Sequence, residues 1–244
     1  MANEPGTPVE YYIDRREKEL IQNLLKPVDG ERLLNVGCGT GNYLRFFRER
    51  GCSVTGTSPS QHMLDMAREK LGQRADLCQG SYEDLPFSDN EFDIVAMILP
   101  HSGCNIRKAI NEMIRVCRGR IVVGTVNRYS ASSLYGAGTG TSNRYEASLV
   151  SSIPGMIKTI RSALSDTSIQ WGSVIFFPQR WYPAISFLEE RTPVMKNPFG
   201  SFIGLAFPVT YTHITIQDPL GKISKAKPAG GYPEPGAARR RTGR

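Results

Sequence analysis

The amino-acid sequence predicts an α/β fold in which helices cover both faces of an open, mostly parallel sheet. Between residues 10 and 126, amphipathic helical patterns alternate with short apolar runs, which is typical of such sheets. The run at residues 92–99 is apolar at nearly every position, as expected for a central strand that is covered on both faces.

The first half of the chain predicts three helices, each preceded or followed by a strand. Apolar residues at helical spacing indicate one helix that ends before Pro27, a second around residues 43–47 and a third around residues 64–71. Three short runs rich in apolar and β-branched residues predict strands at residues 32–36, 52–57 and 75–79.

The clearest helix follows the central strand. Its apolar residues recur at i, i+3, i+4, i+7, i+8 and i+11, and they are Ile106, Ala109, Ile110, Met113, Ile114 and Cys117. A fifth strand is predicted at residues 120–126. Beyond residue 127 the pattern predicts helices at 154–164 and 181–188, and strands at 168–177 and 201–212 that pair antiparallel at one edge of the sheet.

The composition is that of an ordinary globular domain with an appendage. The chain has 244 residues, of which 40% are hydrophobic and 22% are charged. No uninterrupted apolar run approaches the roughly 18 residues that a membrane span requires. The first residues contain neither the basic segment nor the apolar core of a secretory signal, so we expect a cytoplasmic protein.

Five cysteines are odd in number, form no Cys-x-x-Cys pair and mostly lie in apolar segments. They are Cys38, Cys52, Cys78, Cys104 and Cys117. Cysteines of this kind are typically buried thiols. We therefore expect neither a disulfide framework nor a metal site.

The net charge of +7 is concentrated at the carboxyl end of the chain. Residues 222–244 contain seven basic side chains against one acid, which accounts for six of the seven net charges. The segment is also rich in Pro and Gly and poor in large apolar residues, so it cannot bury a core. We predict a globular domain at residues 1–218 and a basic, disordered tail at residues 219–244.

The basic tail does not by itself indicate a nucleic-acid-binding protein. The aromatic residues that would stack on bases are not interleaved with its cations, so no specific nucleic-acid partner is expected. Weak attraction to anionic lipid or RNA surfaces remains open.

The most informative segment is a glycine loop at residues 33–41, Leu-Leu-Asn-Val-Gly-Cys-Gly-Thr-Gly, between a predicted strand and a predicted helix. Glycines let a ligand approach the backbone, and the start of a helix offers unpaired N–H groups. A dinucleotide fingerprint has the spacing Gly-x-Gly-x-x-Gly, whereas here the third glycine comes one residue earlier. A nicotinamide enzyme is therefore disfavoured.

Together with four further segments, the loop resembles the class I S-adenosylmethionine-dependent methyltransferase family, within it the type 11 group of ubiquinone/menaquinone C-methyltransferase-like enzymes. The resemblance covers most of residues 10–215. It rests on Leu-Asn-Val-Gly-Cys-Gly-Thr-Gly at 34–41, Val-Thr-Gly-Thr-Ser-Pro-Ser-Gln-His-Met-Leu at 54–64, Gly-Ser-Tyr-Glu-Asp-Leu-Pro-Phe at 80–87, Glu-Phe-Asp-Ile-Val at 91–95 and Arg-Val-Cys-Arg-Gly-Arg-Ile-Val-Val at 115–123.

The resemblance implies a Rossmann-like sheet of seven strands whose last strand is antiparallel, and S-adenosyl-L-methionine as the cofactor. Its implied cofactor-binding residues are Asn35, Gly37, Gly39, Gly41, Ser58, Met63, Ser81, Tyr82 and Leu99. The glycines would hold the amino-acid portion of the cofactor, and Ser58 would bind its ribose. Met63, Ser81 and Tyr82 would contact the adenine, and Leu99 would lie near the sulfonium.

Three of these positions depart from the family pattern. The family usually has an acid where this chain has Asn35 and Ser58, and often an acid where it has Ser81. A hydrogen bond to a charged partner contributes about 1.5 to 3 kcal/mol and a neutral one about 0.5 to 1.5 kcal/mol, so each change loses roughly 1 kcal/mol of binding free energy. These losses weaken cofactor binding without abolishing it.

His101 is the candidate catalytic residue, because it follows the fourth strand on the side where an acceptor would lie. Histidine can exchange a proton near neutral pH, so it would serve as a general base. A loop histidine that caps the following helix is the alternative interpretation.

Two functions follow from these features. The first is an S-adenosylmethionine-dependent methyltransferase that acts on a small-molecule acceptor. The second is a non-catalytic or weakly cofactor-binding protein that uses the same fold as a binding module, as the neutral residues at positions 35, 58 and 81 also allow.

Overall fold

The computed structural model describes residues 7–130, 145, 147–177 and 181–209. This part of the chain contains six α-helices: α1 Pro8–Leu25, α2 Asn42–Arg48, α3 Gln61–Leu71, α4 Ile106–Val116, α5 Ile153–Ala163 and α6 Tyr182–Arg191. It also contains eight strands: β1 Arg32–Val36, β2 Ser53–Ser58, β3 Asp76–Gln79, β4 Phe92–Ile98, β5 Cys117–Asn127, β6 Val150–Ser151, β7 Gln170–Val174 and β8 Phe202–Pro208.

The strands form one sheet in the order β3-β2-β1-β4-β5-β8-β7, and the two-residue β6 pairs with the end of β5. Strands β1 to β5 pair in parallel, whereas β8 is antiparallel to both β5 and β7. The predicted fold is confirmed, including the antiparallel pair at the edge. The short β6 is an addition that the sequence pattern did not predict.

Apolar layers lie on both faces of the sheet. The central strand β4 shows this directly, since Ile94 and Ala96 face the layer beneath α1 and α2 while Val95 and Met97 face the layer beneath α4 and α5. All four side chains are fully buried. Because both faces are covered, residues 94–98 are all apolar and lack the usual alternation, whereas Asp93 at the edge of the strand is half-buried and pairs with Arg118.

The strands end close to their predicted limits, with two instructive differences. Strand β5 begins at Cys117, three residues before the predicted start. Strand β7 ends at Val174 instead of residue 177, because Ile175 takes a left-handed backbone conformation with φ of 67°. The last part of the predicted final strand, from residue 210, and the basic tail lie outside the described residues.

All five cysteines are free thiols. Cys38, Cys52 and Cys117 are buried, as predicted, whereas Cys78 and Cys104 are only half-buried. Burial raises the pKa of Cys38 to about 12 and the pKa values of Cys104 and Cys117 to about 11. These three thiols are therefore protonated at neutral pH and are poor nucleophiles.

Within the described ranges, no helix combines the length and the apolar character that crossing a bilayer requires.

A buried carboxylate holds the bend that ends β7. Glu189 of α6 is fully buried, and its Oε1 accepts the N–H of Ile175 at 2.6 Å. Its Oε2 accepts the N–H of Phe176 at 3.0 Å and the hydroxyl of Tyr182 at 2.6 Å. A β-branched residue in a left-handed conformation is strained, so the bend requires these hydrogen bonds.

We expect Glu189→Ala to lower the free energy of unfolding by about 3 kcal/mol or more, since it leaves three buried donors without their acceptor. Urea unfolding measures this loss. The matched control is Glu190→Ala, because Glu190 is exposed and forms a solvent-exposed ion pair with Arg15 at 3.2 Å. Glu190→Ala should lower the free energy of unfolding by less than about 1 kcal/mol. Equal losses in the two variants would contradict the role assigned to Glu189.

Candidate functional site

A cavity of about 340 Å³ lies at the carboxyl ends of β1, β2 and β4. Open parallel sheets bind their ligands at this edge. The described residues that line it are Asn35, Gly37, Cys38, Gly39, Asn42, Tyr43, Ser58, Pro59, Ser60, Met63, Tyr82, Ile98, Leu99, His101, Ala147 and Ser148.

The glycine loop contributes Gly37, Cys38 and Gly39 to the cavity lining, and its three glycines all have a left-handed backbone conformation. The φ angles are 73° at Gly37, 52° at Gly39 and 82° at Gly41. Between them, the Cys38 N–H donates to the Thr57 carbonyl of β2 at 2.8 Å, which ties the loop to the neighbouring strand. The loop is thus fixed by backbone geometry that other residues rarely adopt.

The ring of Tyr82 packs directly on the backbone of Gly37. A Cβ atom at Gly37 would lie 2.4 Å from the ring, which is closer than real Cβ contacts come. Burial raises the pKa of the Tyr82 phenol, although a hydrogen bond with the His101 backbone opposes the increase. The phenol is therefore neutral at physiological pH and presents a hydroxyl group to its surroundings.

Eight of the ten residues that the sequence proposed for the site line the cavity together. They are Asn35, Gly37, Gly39, Ser58, Met63, Tyr82, Leu99 and His101. Their roles toward a ligand remain predictions, but the fold places them around a single space.

The other two proposed residues lie outside the described cavity lining and have structural surroundings of their own. Gly41 is the N-cap of α2, and a Cβ there would meet Leu71 and Ala67 of α3 at 3.0 Å and 3.3 Å. Ser81 is exposed, and its Oγ accepts the N–H of Glu83 at 3.2 Å within a turn. The resemblance assigned Ser81 to the adenine, whereas its side chain is engaged in this turn.

Two polar side chains at the cavity replace carboxylates of the family pattern. Asn35 is 2% exposed, and among the described residues its Oδ1 has no hydrogen-bond donor. Ser58 is also buried, and its Oγ accepts the N–H of Ser60 at 3.2 Å. Because a buried acceptor without a donor costs free energy, Asn35 Oδ1 is suited to an N–H or O–H group of a ligand.

Ala147 and Ser148, just before β6, also line the cavity. Leu99 has a left-handed φ of 52° and turns the chain out of β4. Beyond it, the Leu149 N–H donates to the Pro100 carbonyl at 2.7 Å, and Ser148 pairs with His101 in an isolated bridge. The cavity wall at His101 is thus held by backbone hydrogen bonds from a distant part of the chain.

A buried carboxylate connects this wall to the first helix. Glu17 of α1 is fully buried and accepts hydrogen bonds from the hydroxyl of Tyr43 at 3.2 Å and from the hydroxyl of Tyr145. Tyr43 lines the cavity, and Tyr145 shortly precedes two residues that also line it. Sequence reasoning did not identify Glu17.

The signal for Glu17 was nonetheless present in the sequence. It lies at helical spacing between the buried residues Ile13, Leu20 and Leu24, so it is an acid on the apolar face of α1. An acid at such a position requires buried partners.

His101 is exposed at the cavity rim, and its Nδ1 accepts the N–H of Gly103 at 3.1 Å. This bond stabilises the turn that precedes α4. The alternative interpretation of His101 was that it caps the following helix, but the N-cap is Asn105, whose side chain accepts the N–H of Lys108 at 3.3 Å.

Residues 34–122 match a family model described as a methyltransferase domain. The chain is 33% identical over 141 residues to a malonyl-[acyl-carrier protein] O-methyltransferase of Pectobacterium atrosepticum. That match covers 54% of this chain and 55% of the relative. The chain thus matches only about half the length of this relative.

Solved structures with the same fold cover more of the chain. One of them is a possible histamine N-methyltransferase of Thermotoga maritima, described as dependent on S-adenosylmethionine. It superposes with a TM-score of 0.62 at 23% identity, and the alignment covers 82% of this chain and 89% of the Thermotoga maritima chain. The [4+2]-cyclase SpnF superposes with a TM-score of 0.58 at 24% identity, and the alignment covers 85% of this chain and 84% of SpnF. At these identities the likeness concerns the fold alone.

We expect Gly37→Ala to destabilise the protein more than Gly30→Ala. Both glycines have a positive φ, 73° and 83°, so an alanine is strained by about 1 to 2 kcal/mol at either position. Only at Gly37 does the new methyl group also collide with Tyr82, since nothing lies within 4 Å of a Cβ at Gly30.

Urea unfolding of both variants measures the difference in the free energy of unfolding. In a double-mutant cycle, Gly37→Ala should cost less in the Tyr82→Ala background than in the wild type, because the ring is absent there. Equal destabilisation by the two glycine substitutions would show that the ring of Tyr82 does not constrain the loop.

Proposed function

We propose that the chain is a class I S-adenosylmethionine-dependent methyltransferase, as its match to a methyltransferase-domain model and its relatives support, and that it transfers a methyl group to a small-molecule acceptor at the cavity beside its glycine loop. One observation carries the proposal. Eight residues, which the sequence selected from four separate parts of the chain, line one space at the edge of the sheet where such folds bind ligands. A volume of about 340 Å³ falls within the range of small-molecule sites.

The residues at the cavity fit the cofactor of this family. When bound, S-adenosylmethionine supplies a methyl group on a positively charged sulfur. Asn35 Oδ1 would accept a hydrogen bond from the cofactor, and the hydroxyls of Ser58 and Ser60 would face its diol. Gly39, which also lines the cavity, adds no side chain there and lets a ligand approach the backbone.

The rest of the chain's contribution is positioning and exclusion of water. Leu99 and Ile98 supply apolar surface to the cavity, and the hydrogen bond from Tyr43 to the buried carboxylate of Glu17 fixes another of its lining residues. Methyl transfer is an in-line displacement, so much of its acceleration comes from holding the two reactants in contact in a dry site.

The relatives favour a small acceptor. The Pectobacterium atrosepticum relative is named for O-methylation of a malonyl group. We extend to this chain only the class, a small molecule or a small group on a carrier. The cytoplasmic location, the boundary between residues 218 and 219, the absence of a specific nucleic-acid partner and the weak contact of the tail with anionic surfaces stay predictions.

A binding module without catalysis is the second candidate function, and two observations favour it. Asn35 and Ser58 place neutral groups where the family usually has acids, and these substitutions weaken the attraction for a cationic cofactor. The structure of SpnF, named as a [4+2]-cyclase, further illustrates that this fold serves other chemistry.

Isothermal titration calorimetry with S-adenosylmethionine and S-adenosylhomocysteine tests cofactor binding. We expect both to bind at millimolar concentration or below, and the neutral-sulfur product to bind more tightly because the site lacks the usual carboxylates. Gly37→Ala should abolish binding of both. Failure of the wild-type protein to bind either compound would refute the proposed function, whereas binding without turnover on any acceptor would favour the binding module.

We expect Ser58→Asp to tighten binding of S-adenosylhomocysteine several-fold. The new carboxylate replaces a neutral hydrogen bond by a charged one, which is worth roughly 1 kcal/mol of binding free energy. Calorimetry measures the change in Kd. The control is Ser53→Asp, an exposed position at the other end of β2, where the affinity should not change. Weaker binding by the Ser58 variant would contradict a position beside the diol.

A further inference from the structure

The hydrogen bond at His101 determines which of its ring nitrogens carries the proton. Nδ1 accepts the N–H of Gly103 at 3.1 Å, so in the neutral imidazole Nδ1 is the unprotonated nitrogen. The proton is then on Nε2, which has no hydrogen-bond partner among the described residues. His101 therefore offers a donor at Nε2, and its only lone pair is already in use.

This arrangement does not suit a general base, which was the role that the sequence suggested. To take a proton from an acceptor, Nδ1 would have to release Gly103 and open the turn before α4. A hydrogen-bond donor at the cavity rim suits a methyl acceptor that needs no deprotonation. Such an acceptor must also have an oxygen lone pair for the hydrogen bond besides the one that attacks the methyl group. An amine does not meet this condition, because its single lone pair is the nucleophile.

A carboxylate meets the condition. It is already ionised at neutral pH, and its two oxygens together offer about four acceptor positions. One oxygen can accept the Nε2–H of His101 while the other attacks the methyl carbon.

On these grounds, and resting on the function proposed above, we propose that the acceptor is a small carboxylate held by the Nε2–H of His101 and that the product is a methyl ester. An acceptor oxygen forms the new bond to the methyl carbon, and the bond from carbon to sulfur breaks. Its electron pair stays on sulfur, so the sulfonium becomes a neutral thioether. The carboxylate loses its charge in the ester, and no proton is transferred.

Contacts of its main chain and of its ring hold His101 at the cavity. Its backbone pairs with Ser148 in a bridge and forms a hydrogen bond with the phenol of Tyr82. The bond from the Gly103 N–H to Nδ1 restrains the ring. The donor is thus part of the cavity lining.

Nuclear magnetic resonance of the full chain, labelled with ¹⁵N at histidine, tests the donor without any turnover. Two-bond correlations of the rings at about pH 8, where a free imidazole is neutral, distinguish the two tautomers. His101 is assigned by comparison with the His101→Gln and His62→Gln variants. We expect the proton on Nε2, and we expect acetate to shift this resonance at concentrations at least tenfold lower than acetamide does. A proton on Nδ1, or equal responses to acetate and acetamide, would overturn the inference.

Transfer of a radiolabelled methyl group tests the product. A panel of short monocarboxylates and dicarboxylates is compared with the matching amides, alcohols and amines. Methyl esters release volatile methanol in alkali, whereas methyl groups on nitrogen, carbon or ether oxygen do not. We expect label in the alkali-volatile fraction with at least one carboxylate.

The His101 variants separate a donor from a base. His101→Ala should lower the rate roughly 10- to 100-fold, which corresponds to one hydrogen bond to a charged group. His101→Gln keeps an N–H donor of similar reach and cannot act as a base, so it should recover most of the activity. His62→Gln is the matched control, because His62 is exposed on α3 and is not among the described residues that line the cavity.

The outcomes distinguish this inference from the function on which it rests. A protein that binds cofactor in the calorimeter but methylates only amines or carbon, or no carboxylate, overturns the inference and leaves cofactor binding in place. Loss of activity in His101→Gln equal to that in His101→Ala also overturns it. Failure to bind cofactor refutes the proposed function itself.

Discussion

The site depends on the left-handed turn by which the chain leaves β1. Gly37, Gly39 and Gly41 all have positive φ angles, so the chain passes from β1 into α2 within five residues. The missing Cβ of Gly37 also makes room for the ring of Tyr82, which in turn contacts the backbone of His101. A single constraint on backbone conformation thus connects the glycine loop to the cavity rim at His101.

Two buried carboxylates connect peripheral helices to the carboxyl edge of the sheet. Glu17 links α1 to the cavity wall through Tyr43 and Tyr145, and Glu189 links α6 to the bend that ends β7. Each carboxylate accepts several hydrogen bonds and is fully buried, so neither position tolerates a change that leaves the donors unpaired. Both attach a peripheral helix to the chain near the carboxyl edge of the sheet.

Much of the fold was predictable because the spacing of apolar residues can be read from each short stretch of the sequence. The limits of β1 and the double-sided burial of β4 followed from the spacing of apolar residues alone. The early end of β7 was not predictable, since the bend at Ile175 is a strained conformation that distant groups stabilise, among them the buried carboxylate of Glu189 and the N–H of Ser201. Strand β6 has two residues and pairs with the end of β5, more than twenty residues away along the chain, so no local pattern predicts it.

The sequence by itself predicted the fold class and eight residues that lie around one cavity, because the glycine spacing and the order of the motifs require a loop at the end of the first strand. Only the tertiary structure decided which atoms of the proposed residues have hydrogen-bond partners. It engaged the Oγ of Ser81 in a turn and the Nδ1 of His101 with the N–H of Gly103. Residue type tells which groups are present, whereas hydrogen-bond partners decide which atom is free to react, and those partners exist only once the chain has folded.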